Sequence, residues 1–285
     1  MNIEKNSYKI FMIFLFSIIL FLNLIPVYQI TVNAFKSPDD YNGAGIYEPK
    51  GVNVFMPPRA LTLFSFSFFF NETAAIRAFL NNVILSVFCV IVLEILGTIT
   101  ALILTQYQVR FTNQIVRLLI GGQAIPIVMT ILTTFLVSRT LHFLDTYHGA
   151  IIALSAQFLP FTILIFYSYY QDLPKELLAA AEVDGASFLQ VFRMIVLPMS
   201  GTILATVGIL IFIFTWATYL IGLVLLRKEN MQILSMVIQN MEINMRLRPP
   251  AYFAAFVIFS LPMIVVARWA QRYISTGMLA GAMKE

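Results

Sequence analysis

The chain is poor in charge: Asp, Glu, Lys and Arg make up 11% of its 285 residues, where about a quarter is usual in a soluble domain. It holds one cysteine, Cys89, which excludes an intrachain disulfide framework and a cysteine-built metal site. Its 18 Lys and Arg never form a run, and a net charge of +4 is too small and too dispersed for a nucleic-acid partner. No G-x-x-x-x-G-K-[ST] phosphate loop occurs, so any ATP that drives this protein must be bound by another chain. What the chain does have is apolar surface: 60% of its residues are hydrophobic, against roughly 45–50% in ordinary domains. One core cannot absorb that much and leave a soluble exterior, and disorder needs the opposite balance. The class that remains is a polytopic membrane protein.

A helical crossing takes about 20 mostly apolar residues. Six stretches qualify, 10–32, 78–105, 118–137, 149–169, 200–226 and 251–273, within one domain over 1–285. Lys5 and Lys9 precede the first stretch. Its apolar run exceeds the roughly 7–15 residues of a signal peptide and no small-residue cleavage site follows, so it reads as a retained anchor. The interval 33–77 is expected as a long outer loop, punctuated by Pro38, Pro49, Pro57 and Pro58 and ending in the Phe-rich LTLFSFSFFF. Six crossings put both termini on one side. With the N-terminus inside, nine basic residues fall inside and nine outside, so the positive-inside rule barely favours that orientation.

The stretch LPKELLAAAEVDGASFLQVFRMIVLP, Leu173 to Pro198, lies between the fourth and fifth crossings. Pro174 suits a first helical turn. The Ala run and the Leu pair are strong helix formers, and Gly185 stands where a helix takes a left-handed cap. A second helical stretch, Phe188 to Leu197, leads into Pro198. The expectation is a helix, a glycine turn and a second helix on one membrane face, with a small Ala surface that lets a partner backbone approach.

These residues, P-x-E-L-x-x-A-A-x-V-D-G-A-S followed by F-x-x-I-x-L-P, resemble the EAA loop in permease subunits of binding-protein-dependent ABC importers. The resemblance implies a cytoplasmic coupling loop over 171–197 whose helix seats in a groove of an ATPase subunit. Its contact residues would be Glu176, Ala179, Ala180, Ala181, Glu182, Asp184, Gly185 and Pro198. Ala180 and Ala181 match the motif alanines, Asp184 and Gly185 the Asp-Gly pair, and Ile195, Leu197 and Pro198 the distal element. Ala179 stands where the motif normally has glutamate; Glu176 and Glu182 lie nearby at other helical angles. The charged contact with the ATPase is thus absent, weaker or supplied by another residue.

The tail ARWAQRYISTGMLAGAMKE is similar to the ending of maltose-type carbohydrate permeases through Gln271, Arg272, Gly277, Gly281, Ala282 and Lys284. The segment LHFLDTYHGAIIAL, the trio Phe79, Asn81 and Asn82, and FTWATYL (with Ala217 for the usual Asn) resemble further motifs of that subfamily. The resemblance implies an all-α, six-span type I importer permease in a prokaryotic cytoplasmic membrane, with both termini cytoplasmic. A second permease subunit in a heterodimer, two ATPase subunits and an extracytoplasmic binding protein would be its partners, within membrane lipid. The chain itself would hold no cofactor and no metal and do no catalysis; ATP and Mg would be used by the ATPase. A sugar or oligosaccharide is the implied cargo. The alternatives are another polar solute (a polyol or glycerol phosphate) and an ion-coupled secondary transporter built on Glu94.

Further residues carry two readings each. Gln123, Thr130, Thr133, Thr134 and Gln157, near the expected kinks at Pro126 and Pro160, suit either a sugar pathway or bonds between and within membrane helices. Trp216 and Tyr219 suit either stacking on a pyranose ring or packing. Glu94 is a costly acid at mid-span, either a substrate or proton group or a hydrogen-bonded structural acid. His142, Asp145 and His148 lack the tight ligand spacing of a metal site and read as a short loop. The tail glycines Gly277 and Gly281 fall past the sixth span, where a segment near the ATPase is expected.

Overall fold

The computed structural model describes residues 2–42, 54–107, 109–244 and 249–282, and all regular structure among them is helical. The contacts within the chain group it into two units, Met1–Ala75 with Val237–Leu261 and Ile76–Met236 with Pro262–Glu285.

In the first unit, α1 (Asn2–Ala34) is a long helix whose most apolar stretch is left uncovered by the rest of the chain; Phe14, Phe16 and Phe21 are all more than 60% exposed. Hydrocarbon is the solvent such a surface calls for. The expected outer loop is partly built. It contains α2 (Pro38–Asn42) and α3 (Phe64–Glu72), the latter made from the Phe-rich stretch. It is fastened to the end of α1: the Asn33 amide donates to Gln29 O and Val54 O at 2.7 and 2.9 Å, and Thr62 N–H donates to Phe35 O at 3.0 Å.

The second unit opens with α4 (Ala75–Gln106), followed by α5 (Thr112–Gln123), α6 (Ile127–Thr140) and α7 (Tyr147–Tyr170). After α7 come α8 (Lys175–Val183), α9 (Phe188–Val191), a π-helical turn (Phe192–Val196) and α10 (Leu197–Met199). The chain continues with α11 (Gly201–Trp216), α12 (Leu220–Leu225), a 3-10 turn (Glu229–Met231), α13 (Leu234–Asn244) and α14 (Pro249–Ala282). Residues of α13 and α14 belong to both units.

Four segments are long and apolar enough to cross a membrane: Tyr8–Ala34, Ala75–Gln106, Tyr147–Tyr170 and Pro250–Gln271. They answer to the expected spans 10–32, 78–105, 149–169 and 251–273. The other two differ. The stretch 118–137 is not one helix, because α5 and α6 meet at 101°. Pro126 caps α6 at φ −62° and ψ 137°; it has no N–H and pushes its predecessor out of the helical region. The stretch 200–226 is bent away from the preceding Phe188–Met199 by 81° and its helix stops at Trp216. It can stop there because distant side chains take the freed carbonyls. Asn82 Nδ2 donates to Trp216 O at 2.9 Å, and Ser235 Oγ donates to Thr218 O at 2.8 Å. The remainder becomes α12, which packs against α6 and α7 and buries Ile221 and Leu225 beside Leu85, Cys89 and Leu154. At the C-terminus α14 runs on through Gly277 and Gly281 to Ala282, so that part of the tail is helix; Lys284 lies outside the described residues.

Close backbone approach unites the core. A Cβ at Gly97 would stand 2.5 Å from the Thr162 methyl, so α4 and α7 meet where only glycine fits.

Candidate functional site

The 174–198 loop folds as its sequence suggests. Pro174 sits in the extended cap before α8, one residue ahead of the first turn. At the other end Gly185 takes φ +80°, with Gly185 N–H donating to Glu182 O and Ala186 N–H to Ala181 O at 3.0 and 2.9 Å. That pair of bonds closes the carbonyls of the last turn, and its left-handed residue favours glycine. Ser187 then opens α9 with a reciprocal cap, its N–H donating to Gln190 Oε1 at 2.7 Å. The π turn follows, in which Leu197 N–H reaches back five residues to Phe192 O. Pro198 comes next and has no N–H to give.

One side of this loop is anchored. Leu178, Val191, Phe192 and Val196 are buried in a core shared with Leu93, Phe166, Tyr170, Val207 and Ile211. The other side is open. Glu176, Ala179, Ala180 and Glu182 are exposed, as are Leu177, Leu189, Met194 and Val183, the last at 87%. Apolar side chains are thus held out beside polar ones on this loop. Glu182 accepts from Tyr107 OH at 3.0 Å, whereas Glu176 has no hydrogen bond among the described residues.

A second feature is a cavity of about 770 Å³ beside the bent α5–α6 pair, lined by Gln123, Thr130, Thr133, Thr134 and Gln157 together with Pro126 and Ile221. Thr130 and Thr134 donate to Ile127 O and Thr130 O on their own helix, both at 2.9 Å. Gln157 differs, because its Oε1 is buried and has no hydrogen-bond partner. Trp216 does not join them. It is fully buried between Phe79 and Phe212, each ring centroid 5.5 Å away. Tyr219 caps α12 and packs on its core outside the cavity lining.

Glu94 lies in a separate, smaller and mostly apolar cavity of about 440 Å³, lined by α4, α11 and α14 residues that include Gly208, Phe212 and Trp269. A Cβ at Gly208 would stand 2.6 Å from Glu94 Oε1, so the acid sits at a helix–helix contact. Among the described residues no His, Cys, Asp and Glu cluster could hold a metal. Asp145 is instead a clasp: its N–H donates to Leu225 O at 2.7 Å and its carboxylate accepts from the N–H of Arg227 and of Lys228. Thr146 beside it caps α7 by accepting from Gly149 N–H.

Sequence reasoning noted Asn81 and Asn82 without a role. Asn81 receives Tyr147 OH at 2.6 Å and donates to Gln232 O at 2.7 Å, while Asn82 accepts from Leu234 N–H at 2.7 Å. They staple the N-terminal end of α4 to the irregular segment after α12, a role no local pattern announces.

A family model described as "Binding-protein-dependent transport system inner membrane component" matches residues 94–279, most of the second unit and the end of the first. The chain belongs to this family. Among its relatives, the melibiose/raffinose/stachyose import permease protein MelC of Bacillus subtilis is 25% identical over 263 residues, 92% of each chain. The arabinooligosaccharides transport system permease protein AraQ of Halalkalibacterium halodurans is 26% identical over 270 residues, 94% of each chain. A subunit of a bacterial ABC transporter involved in import of the acidic polysaccharide alginate shares the fold, with a TM-score of 0.81 at 20% identity over 94% of this chain and 96% of that one. This inner-membrane component is therefore an importer permease, all-helical over its described residues.

Proposed function

We propose that this permease carries a sugar or oligosaccharide, forming half of a pathway completed by a second permease subunit. Two ATPase subunits, using ATP and Mg, dock on the cytoplasmic side, and a binding protein delivers cargo from outside. Both termini then face the cytoplasm. The observation that carries the reading is the 174–198 loop: an exposed Ala and aliphatic face fixed on a buried anchor, in a chain with no phosphate loop of its own. The sugar assignment is supported by relatives named for melibiose, raffinose and stachyose import and for arabinooligosaccharide transport, each aligned along almost the whole chain.

Mechanistically, closure of the ATPase pair draws the loops together and tilts the helices that lead from them. α10 and α11 continue directly from the loop, and Val191, Phe192 and Val196 transmit its displacement into the core. The cavity on α5–α7 offers amide and hydroxyl groups of the kind that bond sugar hydroxyls, with Gln157 and Gln123 better placed than the threonines that already bond their own helix.

Purification in mild detergent with mass spectrometry of the associated chains tests the assembly. A phosphate-loop ATPase and a second permease are expected to come along. Reconstituted with the binding protein, the complex should hydrolyse ATP faster with a galactoside or arabinooligosaccharide than with glycerol phosphate; the reverse preference would overturn the sugar assignment. Uptake driven by a proton gradient without ATP, and lost in Glu94→Gln, would overturn the ATP-driven reading.

A further inference from the structure

We infer that Tyr107 is a positioning residue that latches the coupling helix α8 to the end of α4 through Glu182, leaving Glu176 as the acid offered to the ATPase. The inference rests on reading 174–198 as the coupling loop.

Tyr107 is the first residue beyond α4. Its hydroxyl donates to Glu182, 75 residues later, at 3.0 Å. Its ring lies 5.8 Å from Phe188, which in turn stacks nearly parallel on Phe192 at 6.4 Å. Tyr107 therefore touches both arms of the loop, one on each side of the Gly185 turn. Its own position is fixed: Gln106 Nε2 donates to Tyr170 O at 2.6 Å, and Val109 packs on the core that receives Leu178.

The helix geometry shows what the latch adds. Leu178 is the one buried residue of α8, and a single anchor is a pivot. Glu182 lies four residues on, over the same face, so bonding it to Tyr107 gives the helix a second fixed point and stops it rolling. Burial first, and then the hydrogen bond and charge of Glu182, raise the Tyr107 pKa above its ordinary value, so the hydroxyl keeps the proton it donates. At 3.6 residues per turn Ala179, Ala180, Val183 and Glu176 fall within about 100° of one another, on the side away from Leu178. That is the open face. Glu176 sits about 60° from Ala179, where the family motif has its glutamate, and no intrachain hydrogen bond engages it among the described residues. Glu182 lies about as far from Ala179 on the opposite side, toward Leu178, and is already engaged by Tyr107.

The test uses the complete complex in proteoliposomes and reads ATP hydrolysed per sugar imported. Tyr107→Phe keeps the ring on Phe188 and deletes only the donor; the ratio should rise roughly three- to tenfold, the worth of one hydrogen bond. Glu182→Ala should match it, and the double variant should be no worse than either single. Glu182→Gln, which still presents an acceptor oxygen, should stay near the wild-type ratio. A role in folding alone would lower the yield of complex and leave the ratio unchanged; that result, or wild-type ratios in both Tyr107→Phe and Glu182→Ala, overturns the latch. A wild-type chain that assembles with no ATPase overturns the coupling reading itself, an outcome distinguishable because it precedes any variant.

Discussion

Two helix breaks in the second unit look alike in sequence, each an apolar stretch interrupted near a proline, yet they are built in opposite ways. Between α5 and α6 the turn is open. Gly121, Gly122, Gln123, Ala124, Ile125 and Pro126 are all exposed, and no side chain caps either helix at the bend. Between α10 and α11 the turn is bolted. Ser200 is fully buried, its Oγ donating to Val196 O at 2.6 Å and standing 3.2 Å from Tyr170 OH, and Tyr169 OH donates to Met199 O at 2.9 Å. The open break borders the polar cavity, and the bolted one follows the 174–198 loop. On the proposed function the difference is a division of labour: a cavity offered to cargo borders a bend with few fastenings, whereas a lever must not flex between the point pushed and the helix moved.

The contrast can be broken most directly at the bolt. Tyr170 is fully buried, and Tyr170→Ala should cost about 3 kcal/mol by leaving a cavity. Ile125, 55% exposed at the open break, should cost no more than about 0.5 kcal/mol on the same truncation. Thermal unfolding in mild detergent reads both, and equal losses would erase the distinction. A smaller effect sharpens the open side. Gln157 Oε1 is buried without a partner, so Gln157→Ala should leave unfolding within about 0.5 kcal/mol. Sugar uptake should nevertheless fall roughly fivefold, the worth of about one hydrogen bond; unchanged uptake would place the cargo elsewhere. The smallest effect is at the loop. The Tyr107 pKa is raised in the folded chain, so its contribution is complete below the ordinary tyrosine value of about 10 and is lost as pH rises through the folded one. An ultraviolet tyrosinate titration, wild type minus Tyr107→Phe, should show a midpoint above that of free tyrosine; a midpoint at or below it contradicts the bond to Glu182.

The legible parts of this protein were local. Gly185 announced a left-handed cap because the backbone there needs φ +80° whatever surrounds it. Apolar runs announced crossings because transfer into hydrocarbon depends on composition summed along a helix. The same sum hid the size of the bend that Pro126 had marked in 118–137 and the stop at Trp216 inside 200–226, since hydropathy carries no information about axis direction. Trp216 offered a ring for sugar or, more often at such a position, for packing, and the structure places it between Phe79 and Phe212. The loop's acids left the motif's charged contact absent, weaker or supplied by another residue, and only the fold brought Tyr107 to Glu182.

The amino-acid sequence alone determined that this chain crosses membranes, that it binds no nucleotide by a phosphate loop, and that a helix–glycine–helix loop separates its fourth and fifth apolar stretches. These follow from composition and from conformational preferences that act over a few residues. Tertiary structure alone decided that the fifth apolar stretch stops being helix at Trp216, that Trp216 and Tyr219 lie outside the polar cavity, and which face of α8 is held and which is offered. Those outcomes depend on hydrogen bonds and packing between residues far apart in the chain, such as Asn82 with Trp216 and Tyr107 with Glu182, and no local preference encodes them.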